Sequence, residues 1–437
     1  MTRLEELSER IDSRHAQIGV VGLGYVGLPL ALEFAKAGFR VTGFELDEDK
    51  VRAISEGRSY LEDVSAEEVK AALDAGKLEA TLDYGALSRV DVINVCVPTP
   101  LTKSKDPDVS HIVKGVEEIR KRLRSGQLVI LGSTTYPGTT HDLFIPLLEE
   151  SGLEVGVDFA VAFAPERIDP GNQEFPLHKV PKVVGGETPH CTALCTKLFE
   201  AIFDTVVPVS SSQSAEMVKL LENTFRAINI GLANEVALMC DRLDLDVWEV
   251  IEAAASKPYG FMKFQPGPGL GGHCIPVDPT YLAWKMKSLN FSARFIDTAT
   301  EINGHMPEHV AKTVGDLLNE DRIAVNGARI LILGVAYKAD VSDMRESPAL
   351  DIIALLEAKG AEIRYHDPHV PEVRLGNRTA KSVDLTDEAI GSADLAVIVT
   401  NHSGVDYERL VAGAHRVYDT RNATRNVTLG MEKVRKL

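Results

Sequence analysis

Cys274 stands in a glycine-rich stretch, Gly267-Pro268-Gly269-Leu270-Gly271-Gly272-His273-Cys274-Ile275-Pro276-Val277-Asp278-Pro279, just ahead of a helical run, Thr280-Tyr281-Leu282-Ala283-Trp284-Lys285. Asp278 suits an N-cap and Pro279 the first helical position. A thiol beside a helix N-terminus feels the positive end of the dipole, which favours thiolate. The glycines let a bulky ligand approach the backbone. That is the arrangement of a nucleophile presented to a substrate. By residue type alone, a tight turn around a buried, inert cysteine also fits. His273 beside it suggests a Cys–His pair, although adjacent side chains on a loop usually diverge.

A second group can handle negative charge. Lys219, Asn223 and Arg226 recur at i, i+4, i+7 and make one polar stripe on an otherwise apolar helix. The lysine and the amide are donors suited to a developing oxyanion. A solvated helix face is the plainer alternative. Glu166, in Pro165-Glu166-Arg167-Ile168-Asp169-Pro170-Gly171, follows a strand end. Ligands collect there in open α/β sheets, so it can serve as acid/base or place a water, or be a loop charge.

The third group points to a cofactor. Gly22-Leu23-Gly24-Tyr25-Val26-Gly27 joins the apolar strand Gln17–Leu23 to a helix, Leu28 to Ala37. A Gly-x-Gly-x-x-Gly alone is weak, but here strand, helix and a following acidic residue are all in place. Gly22 makes the turn, Gly24 admits a pyrophosphate, Gly27 permits helix–strand packing, and the helix N-terminus faces the phosphates. Glu45 ends the next strand, Arg40–Glu45. A carboxylate there accepts both adenosine ribose hydroxyls and repels a 2′-phosphate, so NAD is favoured over NADP. A solvated strand-end charge is the other reading of Glu45. Thr134, in Ser133-Thr134-Thr135-Tyr136-Pro137-Gly138, places a hydroxyl near the nicotinamide or is a turn residue.

These residues need elements to hold them. Further strands are expected at Val90–Val97, Leu128–Leu131, Phe159–Phe163 and Val206–Val209, separated by helical patterns, which implies a parallel sheet. From Ser214 to about Leu243, Met217, Leu220, Leu221, Phe225, Ile228, Leu232, Val236 and Met239 recur at helical spacing, giving one long helix. A second α/β unit begins near Asp321–Gly327, with strands at Arg329–Leu333, Glu362–Tyr365, Leu395–Val399 and Val417–Asp419. The expected fold is α/β, with two doubly wound Rossmann-like domains joined by a helical central region. The expected boundaries are 1–210 for cofactor binding, 211–320 for the helical middle and 321–437 for the C-terminal domain.

Composition narrows the function. The chain has 437 residues, 64 acidic against 47 basic side chains, and a formal charge of −17. That surface repels nucleic acid and anionic membranes, so neither is an expected partner. An anionic substrate then needs locally placed Arg and Lys. Met1 to His15 is charged and amphipathic, unlike a signal peptide, and the apolar runs are strand-length. The five cysteines, Cys96, Cys191, Cys195, Cys240 and Cys274, are few and scattered, which fits reduced thiols in a cytoplasm. Cys191 and Cys195 read as a helix face, and no metal site is expected.

Taken together, Gly22–Gly27, Val97-Pro98-Thr99-Pro100, Ser133–Thr140, Pro165–Asn172, Glu216–Asn234, Gly267–Pro279 and Gly334–Pro348 resemble the nucleotide-sugar 6-dehydrogenases of the UDP-glucose/GDP-mannose dehydrogenase superfamily, over nearly the whole chain. The resemblance implies an NAD-dependent, four-electron oxidation of a sugar C6 alcohol to a uronic acid. It makes Cys274 the nucleophile of a thiohemiacetal and then a thioester. It assigns oxyanion stabilisation to Lys219 and Asn223, and organisation of water and the lysine to Asp278. Glu166 would assist hydrolysis, and Thr134 would contact water or nicotinamide. Tyr25, Val26, Pro98, Thr99 and Arg345 join the implied cofactor site. Arg167, Phe261, Gly271, Lys338 and Arg421 join the implied substrate site, with a UDP-sugar as ligand. The long helix of this family usually builds a homodimer. Lys257-Pro258-Tyr259-Gly260-Phe261-Met262 with His-Cys-Ile-Pro resembles the branch acting on UDP-N-acetylglucosamine and its relatives, and UDP-glucose stays open. Two positions depart from many relatives: Gly132 stands in place of a glutamate, and Ala164 in place of a serine. A hydroxyacid dehydrogenase would have no use for Cys274 or a second α/β domain. A non-catalytic paralogue would be expected to lose Cys274, Lys219 or Asn223, and all three are present.

Overall fold

The computed structural model describes residues 2–61, 63–102, 104–168, 175–376 and 378–437. The chain divides into two compact units, Met1–Glu222 and Asn223–Leu437.

The first unit is built on eight strands. They are β1 (Gln17–Val21), β2 (Arg40–Phe44), β3 (Leu78–Thr81), β4 (Val92–Val95), β5 (Leu128–Leu131), β6 (Ala160–Phe163), β7 (Lys182–Gly186) and β8 (Val206–Pro208). Their order is β3-β2-β1-β4-β5-β6-β7-β8. Both faces are covered, which explains the nearly unbroken apolar runs. Ile18, Val20, Val92, Leu128 and Ile130 enter one core with Leu28, Ala31 and Phe34 of the helix Gly27–Lys36. Their neighbours Val21, Ile93, Val95, Val129 and Leu131 enter the other, with Ile112, Val116 and Ile119 of the helix Ser110–Arg120. Strand order reverses between β1 and β4, so the segments leaving those two strands open at a switch point, where such sheets bind ligands. At the opposite end, buried Asp91 accepts Arg10 Nη1 at 2.7 Å, Arg124 Nη2 at 2.7 Å and the Gln17 N–H at 2.7 Å. That ties the N-terminal helix Arg3–Asp12, with Leu4, Leu7 and Ile11 buried, to the sheet.

One strand corrects the parallel expectation. β7 runs antiparallel to β6 through Ala162↔Gly186 and Phe163↔Gly185. An antiparallel neighbour needs no helical crossover, and the described part of the β6–β7 connection carries only a 3₁₀ turn at Leu177–Lys179. The strand escapes sequence reading because it opens on a lysine and closes on two glycines.

The second unit holds a parallel sheet of β9 (Arg329–Leu333), β10 (Glu362–His366), β13 (Leu395–Ile398), β14 (Val417–Asp419) and β15 (Val434–Lys436), in the order β10-β9-β13-β14-β15. A hairpin, β11 (Glu372–Leu375) and β12 (Arg378–Lys381), lies outside it. Its switch point falls between β9 and β13, where Gly334–Lys338 and Thr400 leave the sheet. The helical part contains Val247–Ala255, Asp278–Ser288 and Arg294–Glu320.

A continuous 32-residue helix, Ser212–Leu243, runs across the division between the units. Its burial inverts the usual amphipathic reading. Lys219, Asn223 and Asn234 are buried, whereas Met217, Leu221, Phe225, Leu232 and Met239 are exposed. Arg226, the third member of the proposed polar stripe, is also exposed and leaves the other two.

Candidate active site

In the first unit, the glycine turn has the stereochemistry of a dinucleotide cradle. Gly22 takes φ +88°, and a Cβ there would lie 2.5 Å from the Cys96 carbonyl oxygen. A Cβ at Gly27 would lie 1.8 Å from the Gly22 oxygen, so only glycine lets the helix start this close to β1. At Gly24, by contrast, nothing stands within 4 Å, which leaves room for a pyrophosphate at the helix N-terminus. Glu45 follows β2 directly. It accepts the Leu23 N–H at 3.0 Å through one oxygen and the Leu46 N–H at 2.8 Å through the other, with Lys50 Nζ at 3.7 Å. The Tyr60 hydroxyl donates to the Leu23 oxygen at 2.5 Å. The ribose-binding candidate and the turn are thus fastened together. Tyr25 and Val26 lie on that turn.

Pro98 and Thr99 follow β4, and Thr134 follows β5. Ser133 joins the two segments: its hydroxyl accepts the Val97 N–H at 2.9 Å and lies 2.8 Å from the Val97 oxygen. The rest of the Thr134 loop is held by Glu216 of the long helix, which sequence reading missed. Fully buried Glu216 accepts Gly138 N–H at 2.5 Å, Thr140 N–H at 2.8 Å and the Thr140 hydroxyl at 2.6 Å. Burial pushes its carboxyl up to about 7 despite those three donors. Gly132 is enclosed. A Cβ there would meet the Val95 oxygen at 3.3 Å and Cys96 Sγ at 3.4 Å, so a longer side chain would have to displace them.

Glu166, after β6, is 8% exposed. One oxygen accepts the Arg167 N–H at 2.7 Å and the Ile168 N–H at 3.1 Å. The other is paired with Lys182 Nζ at 3.1 Å. Arg167 is engaged elsewhere, donating to both oxygens of Glu222 and to the Pro181 carbonyl at 2.6 Å. Asp169, Pro170 and Gly171 of the same motif lie outside the described residues. Lys219 is 7% exposed, and among the described residues no hydrogen bond or ion pair engages it.

In the second unit, Cys274 is the one half-exposed cysteine; the other four are buried. Burial pushes the Cys96 thiol up to about 12, which makes it inert. The Cys274 carbonyl accepts Val277 N–H at 3.1 Å and Asp278 N–H at 2.8 Å, placing the thiol one turn ahead of the helix Asp278–Ser288. Asp278 itself corrects the expected cap. It is the first helical residue, Val277 is the cap, and no side chain caps the helix. Its carboxylate is 3% exposed and accepts Asn223 Nδ2 at 2.5 Å instead. That bond joins the thiol loop to the long helix across 55 residues of sequence.

The rest of the loop is pinned by backbone contacts. Gly267 N–H donates to Asn234 Oδ1 at 2.8 Å, and Asn234 Nδ2 donates to Asn303 Oδ1 at 2.8 Å. Gly272, at φ +83°, donates to the Arg345 oxygen at 2.9 Å. The Arg345 guanidinium lies on Asp343, with Nη2 at 2.6 Å. Against the upward push of burial, Arg345 holds the Asp343 carboxyl below the usual range. Gly271 lies against Tyr337 and Glu346, so the loop meets the segment carrying Lys338. That segment is fixed by Asp367, which accepts Val335 N–H at 2.7 Å, Ala336 N–H at 3.1 Å and His402 Nε2 at 3.1 Å. These donors outweigh burial and hold Asp367 down to about 2. Arg421 donates to the Val399 oxygen at 3.0 Å and lies against Gly267, where a Cβ would meet its Nη1 at 2.5 Å. Burial pushes its guanidinium down to about 10. Phe261 is 43% exposed.

A glycine turn that opens a helix after β1, with an acidic residue directly after β2, places the first unit in the class of dinucleotide-binding folds. Three domain models of one family match the chain: UDP-glucose/GDP-mannose dehydrogenase family, NAD binding domain over residues 16–203, central domain over 213–305 and UDP binding domain over 331–426. UDP-N-acetyl-D-glucosamine 6-dehydrogenase of Pseudomonas aeruginosa is 37% identical over 81% of this chain and 83% of its own. The structure of UDP-D-ManNAc dehydrogenase from Pyrococcus horikoshii superposes with TM-score 0.88 at 34% identity, covering 96% of this chain and 98% of that one. NDP-N-acetyl-D-galactosaminuronic acid dehydrogenase from Methanosarcina mazei Go1 gives 0.83 at 29%, covering 100% and 98%. The chain belongs to the UDP-glucose/GDP-mannose dehydrogenase family and is an NAD-dependent UDP-sugar dehydrogenase.

Proposed function

We propose that the protein oxidises the C6 alcohol of a UDP-N-acetylhexosamine to the uronic acid through a thiohemiacetal and a thioester on Cys274. The observation that carries this reading is the Asn223–Asp278 bond. It fastens the loop bearing the one half-exposed thiol to the helix that carries Lys219.

NAD, when bound, accepts the hydride lost from C6 in each of the two oxidations. Gly22, Gly24, Tyr25, Val26, Gly27, Glu45, Pro98, Thr99, Thr134 and Arg345 are the residues assigned to holding it. The chain's own groups manage the oxygen and the acyl carbon. The hydroxyl proton passes to water as the alkoxide develops, and Lys219 and Asn223 donate to that oxygen. The Cys274 thiolate adds to the aldehyde carbon, and the resulting hemithioacetal carbon can lose a second hydride, which a free aldehyde would lose only after hydration. Asp278 orients Asn223 through their hydrogen bond. In the last step water adds to the thioester carbon, its proton passes to Glu166, and the C–S bond breaks to return the thiolate. Lys338, Arg421, Arg167, Phe261 and Gly271 are assigned to the sugar nucleotide, with the two C-terminal cations facing its diphosphate or base.

The Pseudomonas, Pyrococcus and Methanosarcina relatives act on sugars that share a 2-acetamido group, which supports that class while leaving the epimer to experiment. The exposed apolar residues Met217, Leu221, Phe225, Leu232 and Met239 on one helix support a homodimer through that face, and a monomer in equilibrium sedimentation at micromolar concentration refutes it. Cysteines that are few, scattered and joined in no disulfide among the described residues fit a reducing, cytoplasmic setting. No helix of the described residues is long and apolar enough to cross a membrane.

The test is stoichiometry. Limiting UDP-N-acetylglucosamine and, separately, limiting UDP-glucose are converted, and NADH is counted per sugar. Two per sugar with the acetamido substrate supports the reading; two with UDP-glucose alone moves the substrate class. One per sugar overturns the thioester. Cys274→Ser should abolish acid formation and leave NAD affinity unchanged.

A further inference from the structure

Lys182 is among the most buried cations of the chain, 2% exposed at the first position of β7. Its ammonium lies 3.1 Å from Glu166 and over two aromatic faces, 5.1 Å from the Phe199 ring and 5.4 Å from that of Phe203. Burying an ammonium is costly and is tolerated where a partner compensates it. Here the partner is the carboxylate assigned to thioester hydrolysis, so the role inferred for Lys182 rests on that assignment.

Glu166 has four lone-pair positions to fill. Two backbone N–H groups, from Arg167 and Ile168, take one oxygen, and Lys182 takes one position on the other. Among the described residues, one acceptor position is left, on the oxygen that Lys182 holds. The plane of the carboxylate is thereby set from both ends. The carboxylate and the two rings hold the ammonium, and the backbone N–H of Lys182 donates to the Thr205 oxygen at 2.9 Å.

We propose that Lys182 is a positioning residue for the hydrolytic half of the reaction. It fixes Glu166 so that its remaining lone pair takes the proton of the water attacking the thioester carbon. The new C–O bond forms as the C–S bond breaks, the electron pair leaves on the Cys274 sulfur, and the proton rests on Glu166. Lys182 keeps its own proton throughout and does not touch the substrate. It bears on hydrolysis and leaves both oxidations unaffected.

The experiment follows both phases in the full-length enzyme. Rapid-quench measurements record NADH in the first turnover, and intact mass after acid quench records acyl-enzyme. With Lys182→Met, the first turnover should still release NADH at the wild-type rate, while steady-state kcat falls about ten- to a hundredfold, KM falls with it so that kcat/KM is unchanged, and acyl-enzyme accumulates. Lys182→Gln, which keeps a donor without the charge, should accumulate less, and Lys182→Arg should restore most of the rate. Glu166→Gln should accumulate acyl-enzyme on its own, and adding Lys182→Met to it should change nothing further. A purely structural role would lower Tm in Lys182→Met without acyl-enzyme, and that result overturns the proposal. If Lys182→Met does not fold, Lys182→Gln and the neutral double variant carry the comparison. Acyl-enzyme in Glu166→Gln but in neither Lys182→Met nor Lys182→Gln refutes the role of Lys182 alone. Its absence in Glu166→Gln refutes the role of Glu166 and this proposal with it.

Discussion

Replacing Gly271 by alanine tests whether the thiol loop is set by its docking. A Cβ at that position would lie 2.6 Å from Tyr337 Cβ, 3.0 Å from the Glu346 carbonyl oxygen and 3.3 Å from Pro348 Cδ. Carbon atoms rest at about 3.5–4.0 Å, so the nearest contact is short by about 1 Å. None of the three atoms is the free end of a flexible side chain. The next residue is fastened, since Gly272 donates to the Arg345 oxygen at 2.9 Å and lies under the Tyr337 ring. The loop must therefore translate rather than rotate, carrying Cys274 three residues on. A displacement of about 1 Å at a reacting group costs about a hundredfold in rate, or about 2.7 kcal/mol of barrier. The assay is NADH formation under saturating UDP-sugar, with NAD affinity as the control for the first unit. Gly304→Ala is the control for substitution itself, because nothing stands within 4 Å of its Cβ inside a helix. A kcat for Gly271→Ala within about threefold of wild type would refute the argument that these contacts place the thiol.

The first unit supplies two more expected outcomes. Glu45→Ala removes a charged acceptor from the proposed ribose site and from the Leu23 N–H, and NAD affinity should fall about tenfold or more in a calorimetric titration; an unchanged Kd would remove Glu45 from the site. Glu216 makes stability depend on pH, with a definite sign. Its carboxyl is raised in the folded protein from 4.5 to about 7, so the native state holds the proton more tightly than the unfolded chain. The resulting stability is complete below about pH 4.5 and is lost as pH rises to about 7, a change of about 3 kcal/mol. Urea unfolding of wild type and Glu216→Gln between about pH 5 and about pH 8 should show that slope in the wild type and a flatter one in the variant. Parallel slopes would show that Glu216 ionises normally.

Much of the architecture could be read along the chain, because the rules that set it act between near neighbours. Gly22 and Gly27 announce the turn by the backbone approach each must allow, and Gly24 by the open space beside it. Glu45 is legible because a strand of known length carries it to the end of the sheet. Apolar runs such as Leu128–Leu131 mark strands covered on both faces, and the thiol of Cys274 precedes a helix whose start lies within four residues of it. The one-residue slip at that start, where Asp278 enters the helix instead of capping it, already reflects a distant partner, Asn223.

Only the tertiary structure could decide which polar groups are buried together. Lys182 opens a strand with no local sign that it will neutralise Glu166, and β7 turns antiparallel where alternating strands and helices imply otherwise. Asn234 and Asn303 are ordinary polar residues on helices until they are seen to hold Gly267. On the long helix, periodicity locates the apolar residues, but five of the eight that recur at helical spacing lie exposed, while Lys219 and Asn223 go inside. A helical period fixes which residues share a face. Which face meets the rest of the chain depends on residues far away in sequence, as Asp278 is for Asn223.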